Sequence, residues 1–291
     1  MSVAAEEIFV NIASYAYDGG KGTATVRADV EDGVFTLTFT DSVTIMTCAD
    51  RAAFIFGVLG QPQAKAFAET LREELRRAIR EHLIDKTTLT ADTRCQTSQA
   101  MALFYGVFDD NEKPEATRRL LEIIHENGDF MDFGILGARA IFHVLTEAGE
   151  SELAWKMITR PDFPSYGALI GFGETTIPEC FDLPGEGKYS HNHHMYCDIK
   201  NWFISAVAGL RFNPDGTNVG SVLIRPAFLK DLTFAEATYR APAGEIFTRW
   251  ERRDGGVALT VRVPDGVTAE IVLPDGIRFS HTGEKTYRIG G

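Results

Sequence analysis

The chain has 291 residues, room for one large domain or two modest ones, and its 44% hydrophobic and 24% charged residues argue against wholesale disorder. Its 41 acids and 29 bases give a formal net charge of -12, which argues against nucleic acid or an anionic membrane as the main partner and fits a neutral ligand. Four scattered cysteines, Cys48, Cys95, Cys180 and Cys197, form no CxxC pair, so neither a disulfide framework nor a structural zinc site is expected. The opening residues carry two acids where a secretory leader carries Lys or Arg, and no apolar run approaches ~20 residues; the sequence reads as cytoplasmic.

In chain order, residues 1–45 read as a β-hairpin segment. Thr25–Val30 and Val34–Phe39 roughly alternate around Glu31-Asp32-Gly33, a turn signal, with Phe35, Leu37 and Phe39 on one face. From Thr44 the apolar period lengthens to the helical one: Met46, Ala49, Ala52, Ala53, Phe56 and Leu59, stopped by Gly60. Pro62 opens the next helix, whose apolar stripe is Phe67, Leu71, Leu75, Ala78, Ile79 and Leu83 and whose Arg72, Arg76, Arg77 and Arg80 side reads as solvated. Further helices are expected at 96–108, 114–126, 134–148, 151–159 and 198–210, joined by short connections as in stacked helical hairpins. After Asn213-Pro214-Asp215-Gly216 the chain turns to short strands near 222–226, 245–250, 257–263 and 269–274, with DGG, PDG and PDG turns, which predicts a small antiparallel sandwich. The helical domain is placed at 46–216 and the β domain at 217–291.

Between 160 and 197 the helical pattern stops, and this stretch is the richest in chemistry. Glu174, Glu179 and Asp182 lie beside aromatic and His residues, and paired carboxylates perform glycoside hydrolysis. The plainer reading is that these acids cap loops and helices. His191, His193 and His194 with Cys180 and Cys197 invite a metal, yet no zinc spacing is present, so no metal or cofactor is expected. Asn192 and His193 suit hydrogen bonds to a neutral ligand instead. Phe163, Tyr166, Phe172, Phe181, Tyr196 and Trp202 are either the walls of a cleft or ordinary core, while Trp155 reads as core. Asp132-Phe133-Gly134-Ile135-Leu136-Gly137 lacks the phosphate-loop pattern and reads as a helix opening packed closely through Gly.

An ordered series of motifs over roughly 130–275 resembles the C-terminal portion of the bacterial α-L-rhamnosidases, glycoside hydrolase family seventy-eight. Asp132-Phe-Gly-Ile-Leu-Gly137 is similar to the family's helix-opening Gly motif. His143 to Gly149 with Glu152-Leu-Ala-Trp155 is similar to its L-x-x-x-G…x-L-A-Y hairpin. Pro164-Ser-Tyr166-Gly167 resembles P-S-W-G, and Gly173-Glu-Thr-Thr-Ile-Pro-Glu179-Cys-Phe-Asp182 resembles G-A-T-T-x-W-E-x-W-D. Ser190-His-Asn192-His193 resembles S-L-N-H; Trp202 with Ala208-Gly209-Leu210, then Ile224-Arg225-Pro226 and Gly244-Glu-Ile246, complete the series.

The resemblance implies an α+β multidomain fold: a partial (α/α)₆ toroid followed by a small antiparallel β-sandwich, preceded here by the β-hairpin segment. It implies inverting hydrolysis of terminal α-L-rhamnosides, which needs two carboxyls roughly 6.5–9.5 Å apart. Glu179 maps onto the family's general base. Tyr166, Asn192, His193 and Trp202 are the expected sugar contacts; Glu174 and Asp132 are weaker cleft carboxylates, and Asp182 is expected just behind the residues that touch the sugar. Three features depart from the family pattern. Pro178 replaces the Trp before the base, Tyr166 replaces the P-S-W Trp, and nothing resembles the acid-bearing D-x-x-R-D-E-x-x-G-W stretch. Seven expected helices, where a closed toroid of pairs has about twelve, leave an apolar edge to be covered by the N-terminal hairpin, by a homo-oligomer or by a missing N-terminal half. The alternative to an enzyme is a sugar-binding module without the general acid.

Overall fold

The computed structural model describes residues 26–31, 34–39, 42–91, 93–181, 190–212, 220–253 and 255–290. The chain divides into two compact units, Met1–Val144 and Leu145–Gly291. None of the described helices is long and apolar enough to cross a membrane.

The first unit opens with an antiparallel hairpin, β1 (Val26–Glu31) and β2 (Val34–Phe39), in the register Val26↔Phe39 to Glu31↔Val34. The expected shared face of Phe35, Leu37 and Phe39 lies outside the described side chains. Helices α1 (Ser42–Val58) and α2 (Pro62–His82) then pack on each other, with Pro62 in the first turn where its missing N–H costs nothing. Met46, Ala49 and Ala53 of α1 and Ala68 and Ile79 of α2 are buried. The apolar period over-reaches at the hairpin tip, where Leu59 and Phe67 (70%) are exposed rather than core. The arginine side of α2 is likewise not simply solvated. Arg76 donates to Gly106 O and pairs with Asp109; Arg80 donates to Val107 O and grips Glu112 with both terminal nitrogens at 2.6 and 2.8 Å.

A short hairpin, β3 (Ile84–Asp85) and β4 (Thr90–Ala91), precedes α3 (Gln96–Phe104) and α4 (Lys113–Glu126). Two fully buried glutamines stitch these pieces together. Gln99 accepts from Ala91 N and donates to Leu89 O and Ala116 O; Gln96 donates to Phe130 O and accepts from Asp132 N. Every amide group so engaged offsets the cost of removing it from water. The single helix expected over 134–148 is two, α5 (Ile135–Ala138) and α6 (Ile141–Glu147), the latter running across the boundary between the units. A Cβ on Gly137 would sit 2.8 Å from both Phe133 Cβ and Thr97 Oγ1, so this glycine of the motif is there for close packing.

After the end of α6, the second unit continues with α7 (Ser151–Thr159), within the expected limits. Helix α8 (Tyr166–Gly171) follows inside the stretch expected to be irregular. Helix α9 (Asp198–Trp202) does not continue to 210 as expected but passes into a π-helical turn, Phe203–Val207. That turn ends at Gly209, whose φ of 82° and whose contact with Pro226 (an added Cβ would lie 2.4 Å from Pro226 N) admit no side chain.

Strands β5 (Leu210–Arg211), β6 (Ser221–Ile224), β7 (Phe234–Ala241), β8 (Gly244–Arg253), β9 (Gly256–Arg262), β10 (Thr268–Val272), β11 (Arg278–His281) and β12 (Glu284–Ile289) form two four-stranded sheets. Their orders are β11-β10-β6-β5 and β12-β9-β8-β7. The pairing is antiparallel except for β10 with β6, so the sandwich is not wholly antiparallel. Ile246, Thr248 and Trp250 alternate into the core with Leu259, Val261, Ile224 and Ile271. Trp250 Nε1 donates to Val207 O at 2.7 Å, and Arg225 N donates to Gly209 O, tying the sandwich to the end of the π turn.

Candidate functional site

The site is built from two short segments, 173–181 and 190–198. The first leaves α8. Ser165 caps that helix, its Oγ accepting from Ala168 N at 2.9 Å and donating to Arg160 O at 2.6 Å. Gly167 lies against the end of α7, where a Cβ would come within 2.5 Å of Arg160 O and 2.7 Å of Thr159 O. At the other end Gly173 adopts φ 82° and donates to Ile170 O, while Glu174 N donates to Leu169 O, a paired C-terminal cap. The P-S-Y-G and G-E-T-T motifs are therefore the start and stop of one six-residue helix, and they aim the chain that follows.

That chain runs alongside 190–193. Glu179 N donates to Ser190 O at 2.9 Å, His193 N donates to Ile177 O at 2.8 Å, and Thr176 Oγ1 bonds His191 O. The Glu179 carboxylate closes the same arrangement, Oε2 accepting from Ser190 N at 3.3 Å. Glu179 is half-buried, as are Glu174 and His193; Asn192, His191 and His194 are exposed. His193 Nδ1 is buried and has no hydrogen-bond partner among the described residues, an uncommon condition for a ring nitrogen. Two residues beyond Glu179, the Phe181 ring wedges edge-on between Tyr166 and Tyr196, with centroids 5.0 and 4.7 Å away. This T-shaped stack fastens the segment to the core.

Two expected sugar contacts are core residues instead. Trp202 is 0% exposed, and its Nε1 donates to Thr146 Oγ1 at 2.8 Å. Tyr166 is buried, and its hydroxyl donates to Tyr196 O at 2.8 Å; burial pushes its phenol well above the usual range. An amphipathic ring satisfies both its face and its polar atom in the interior as readily as in a cleft, and here the interior wins. Tyr196 is core as well, and Trp155 is half-buried, edge-on to Phe203. Phe172 (57% exposed) and the half-buried Phe163, whose rings meet at 5.3 Å, reach the surface, as does the half-buried Phe181.

Of the remaining candidates, Asn192 sits in the second segment, its backbone N–H facing Ser190 Oγ. Glu174 is placed by the helix cap. Asp132 is exposed and belongs to the first unit, and Asp182 lies outside the described residues. The sequence reading missed the part played by Ser190, whose main chain holds Glu179 at both its amide and its carboxylate. The S-H-N-H motif was visible, but a backbone contact carries no side-chain signal.

These features have counterparts. Residues 33–207 match the bacterial alpha-L-rhamnosidase 6 hairpin glycosidase domain, and residues 209–288 match the bacterial alpha-L-rhamnosidase C-terminal domain. An α-L-rhamnosidase of Streptomyces avermitilis is 30% identical over 197 residues, which are 64% of this chain and 19% of that protein. The structure superposes on the Aspergillus terreus α-L-rhamnosidase with a TM-score of 0.78 at 23% identity, covering 85% of this chain and 30% of that one, a likeness of fold. It superposes on a Streptomyces avermitilis α-L-rhamnosidase complexed with L-rhamnose with a TM-score of 0.74 at 26% identity, covering 86% and 26%. The chain therefore belongs to the bacterial α-L-rhamnosidase family: a six-hairpin glycosidase domain followed by that family's C-terminal β domain. It spans about a fifth to a quarter of the length of the curated relatives it matches.

Proposed function

We propose that this chain is the C-terminal portion of an inverting α-L-rhamnosidase, with Glu179 as the general base that takes a proton from the attacking water. The observation that carries this is the grip on Glu179. The side chain is half-buried and held by Ser190 at Oε2, on a segment clamped at Glu179 N and His193 N. A base must be ionised, fixed and within reach of a water, and a carboxylate accepting one backbone N–H keeps lone pairs for that water. The Glu179 position in the E-T-T-I-P-E motif and family membership support the same role. His193, half-buried on the clamped segment, and the exposed Asn192 beside it are suited to hydroxyls of the sugar.

The substrate class is a glycan ending in α-L-rhamnose. The second carboxyl of an inverting pair is not assigned to any residue here, and sugar binding without cleavage is the rival reading. An aryl α-L-rhamnoside offered to the wild-type chain and to Glu179→Gln separates them. The proposal expects hydrolysis that drops at least ~100-fold in the variant. Equal rates end the catalytic assignment, and L-rhamnose binding with no hydrolysis by either protein, even of a 2,4-dinitrophenyl α-L-rhamnoside that needs no acid, favours the binding module.

A further inference from the structure

We propose a second saccharide site, in the β-sandwich and independent of Glu179. At one end of the sandwich an open concavity of about 630 Å³ lies among Phe228, Arg253, Val257, Asp275 and Ile289, in the volume range of small-ligand sites. Three connections from different parts of the sandwich meet there: the β6–β7 connection carrying Phe228, the β8–β9 turn with Gly255, and the β10–β11 turn with Pro274 and Asp275.

Phe228 is the informative residue. Its backbone has φ 43°, the left-handed region that a bulky side chain rarely enters, and such strain persists only where the surroundings hold it. Arg252 does the holding. Its Nη2 donates to Phe228 O at 2.7 Å and to Leu229 O at 3.0 Å, and its Nε to Leu232 O at 3.1 Å. Trp250 fixes the Phe228 ring edge-on, with centroids 5.5 Å apart. The ring that lines the concavity is thus set in place before any ligand arrives, which lowers the ordering cost of binding.

The rest of the lining defines the ligand. Val257, Pro274 and Ile289 give apolar surface. Arg253, with a 66% exposed side chain paired to Glu251, gives in-plane donors at the rim. Asp275 gives a carboxylate, one oxygen of which accepts from Ile277 N at 3.0 Å. Three glycines, Gly255, Gly256 and Gly290, leave backbone groups open to contact. An aromatic ring for the C–H face of a pyranose, beside a guanidinium and a carboxylate for adjacent hydroxyls, is the chemistry that recognises a sugar ring. Neutral and carboxylated pyranoses share it.

The test is a ¹⁵N NMR titration of the full chain with L-rhamnose and, separately, with D-galacturonate, at tens of millimolar sugar. The proposal expects one of the two to shift the amides of Gly255, Gly256, Val257 and Ile289. Phe228→Ala should weaken that binding by about tenfold, and Glu179→Gln should leave it unchanged. Arg253→Ala, at an exposed position that leaves folding intact, should weaken it as well and carries the test if Phe228→Ala fails to fold. Absence of shifts at these amides with both sugars, or shifts that Arg253→Ala leaves at full affinity, would overturn it. Loss of shifts near Glu179 alone would bear on the catalytic reading and not on this one.

Discussion

Ser190 holds Glu179 twice: its carbonyl accepts from Glu179 N at 2.9 Å, and its N–H donates to Glu179 Oε2 at 3.3 Å. The second bond uses a backbone donor, so only a residue without an N–H removes it. Ser190→Pro is expected to lower kcat on an aryl α-L-rhamnoside by at least ~10-fold with little change in Tm, because the proposed base, once loosened, would no longer hold the attacking water. Ser190→Ala, which keeps the N–H, is expected to retain activity. Equal kcat in both variants would show that the grip does not serve the carboxylate.

Trp202 is predicted to matter for stability and not for sugar. Trp202→Phe removes the 2.8 Å bond to Thr146 Oγ1 and should cost about 1–2 kcal/mol in urea unfolding. Affinity for L-rhamnose, measured calorimetrically, should be unchanged. A stable variant with weakened affinity would restore Trp202 to the cleft.

The motif glycines sort by what surrounds them. Gly167→Ala drives a methyl into two backbone carbonyls and should lose about 2–4 kcal/mol. Gly171→Ala, four residues on, meets nothing within 4 Å and should be neutral or slightly stabilising. Thermal melts of the pair check this, and similar losses in both would remove close packing as the reason for the P-S-Y-G glycine.

The Arg80–Glu112 pair predicts a pH window. The hydrogen bonds from Arg80 hold the Glu112 carboxyl at about 2, below its ordinary 4.5. A depressed folded-state pKa gives stability that is present above the unfolded value and is lost as pH falls through the folded one. Glu112→Gln should therefore be less stable than wild type by about 1–3 kcal/mol at pH 7, with the gap closing between pH 4.5 and 2. A gap independent of pH would contradict it.

Much of the helical layout was legible because it rests on period and punctuation. Pro62 at a helix start and the stripe of Ser151–Thr159 are local signals. Helix α8 escaped because six residues between a Pro-rich stretch and a Gly show less than two turns of pattern; the Ser165 cap was its one sign. Strand β7 escaped because its outward-facing residues include Phe234 and its inward series of Ala235, Ala237, Tyr239 and Ala241 is small apart from an exposed Tyr239, so alternation is blurred. At the site, motif order singled out the E-T-T-I-P-E and S-H-N-H segments, which the fold pairs at Glu179 N and His193 N. It did not separate Tyr166 and Trp202 from cleft residues, because a buried amphipathic ring and a sugar platform have the same composition. Leu59 and Phe67 carried the period of a core stripe to a hairpin tip that stays exposed.

The role proposed for Glu179 as base can be isolated from any acid by giving the chain 2,4-dinitrophenyl α-L-rhamnoside, whose leaving group departs without protonation. Glu179→Gln should hydrolyse it slowly, and added azide, an anion that attacks without a base, should restore turnover and yield the glycosyl azide of inverted configuration. Wild-type turnover that is matched by Glu179→Gln without azide, or an azide product of retained configuration, would contradict the account.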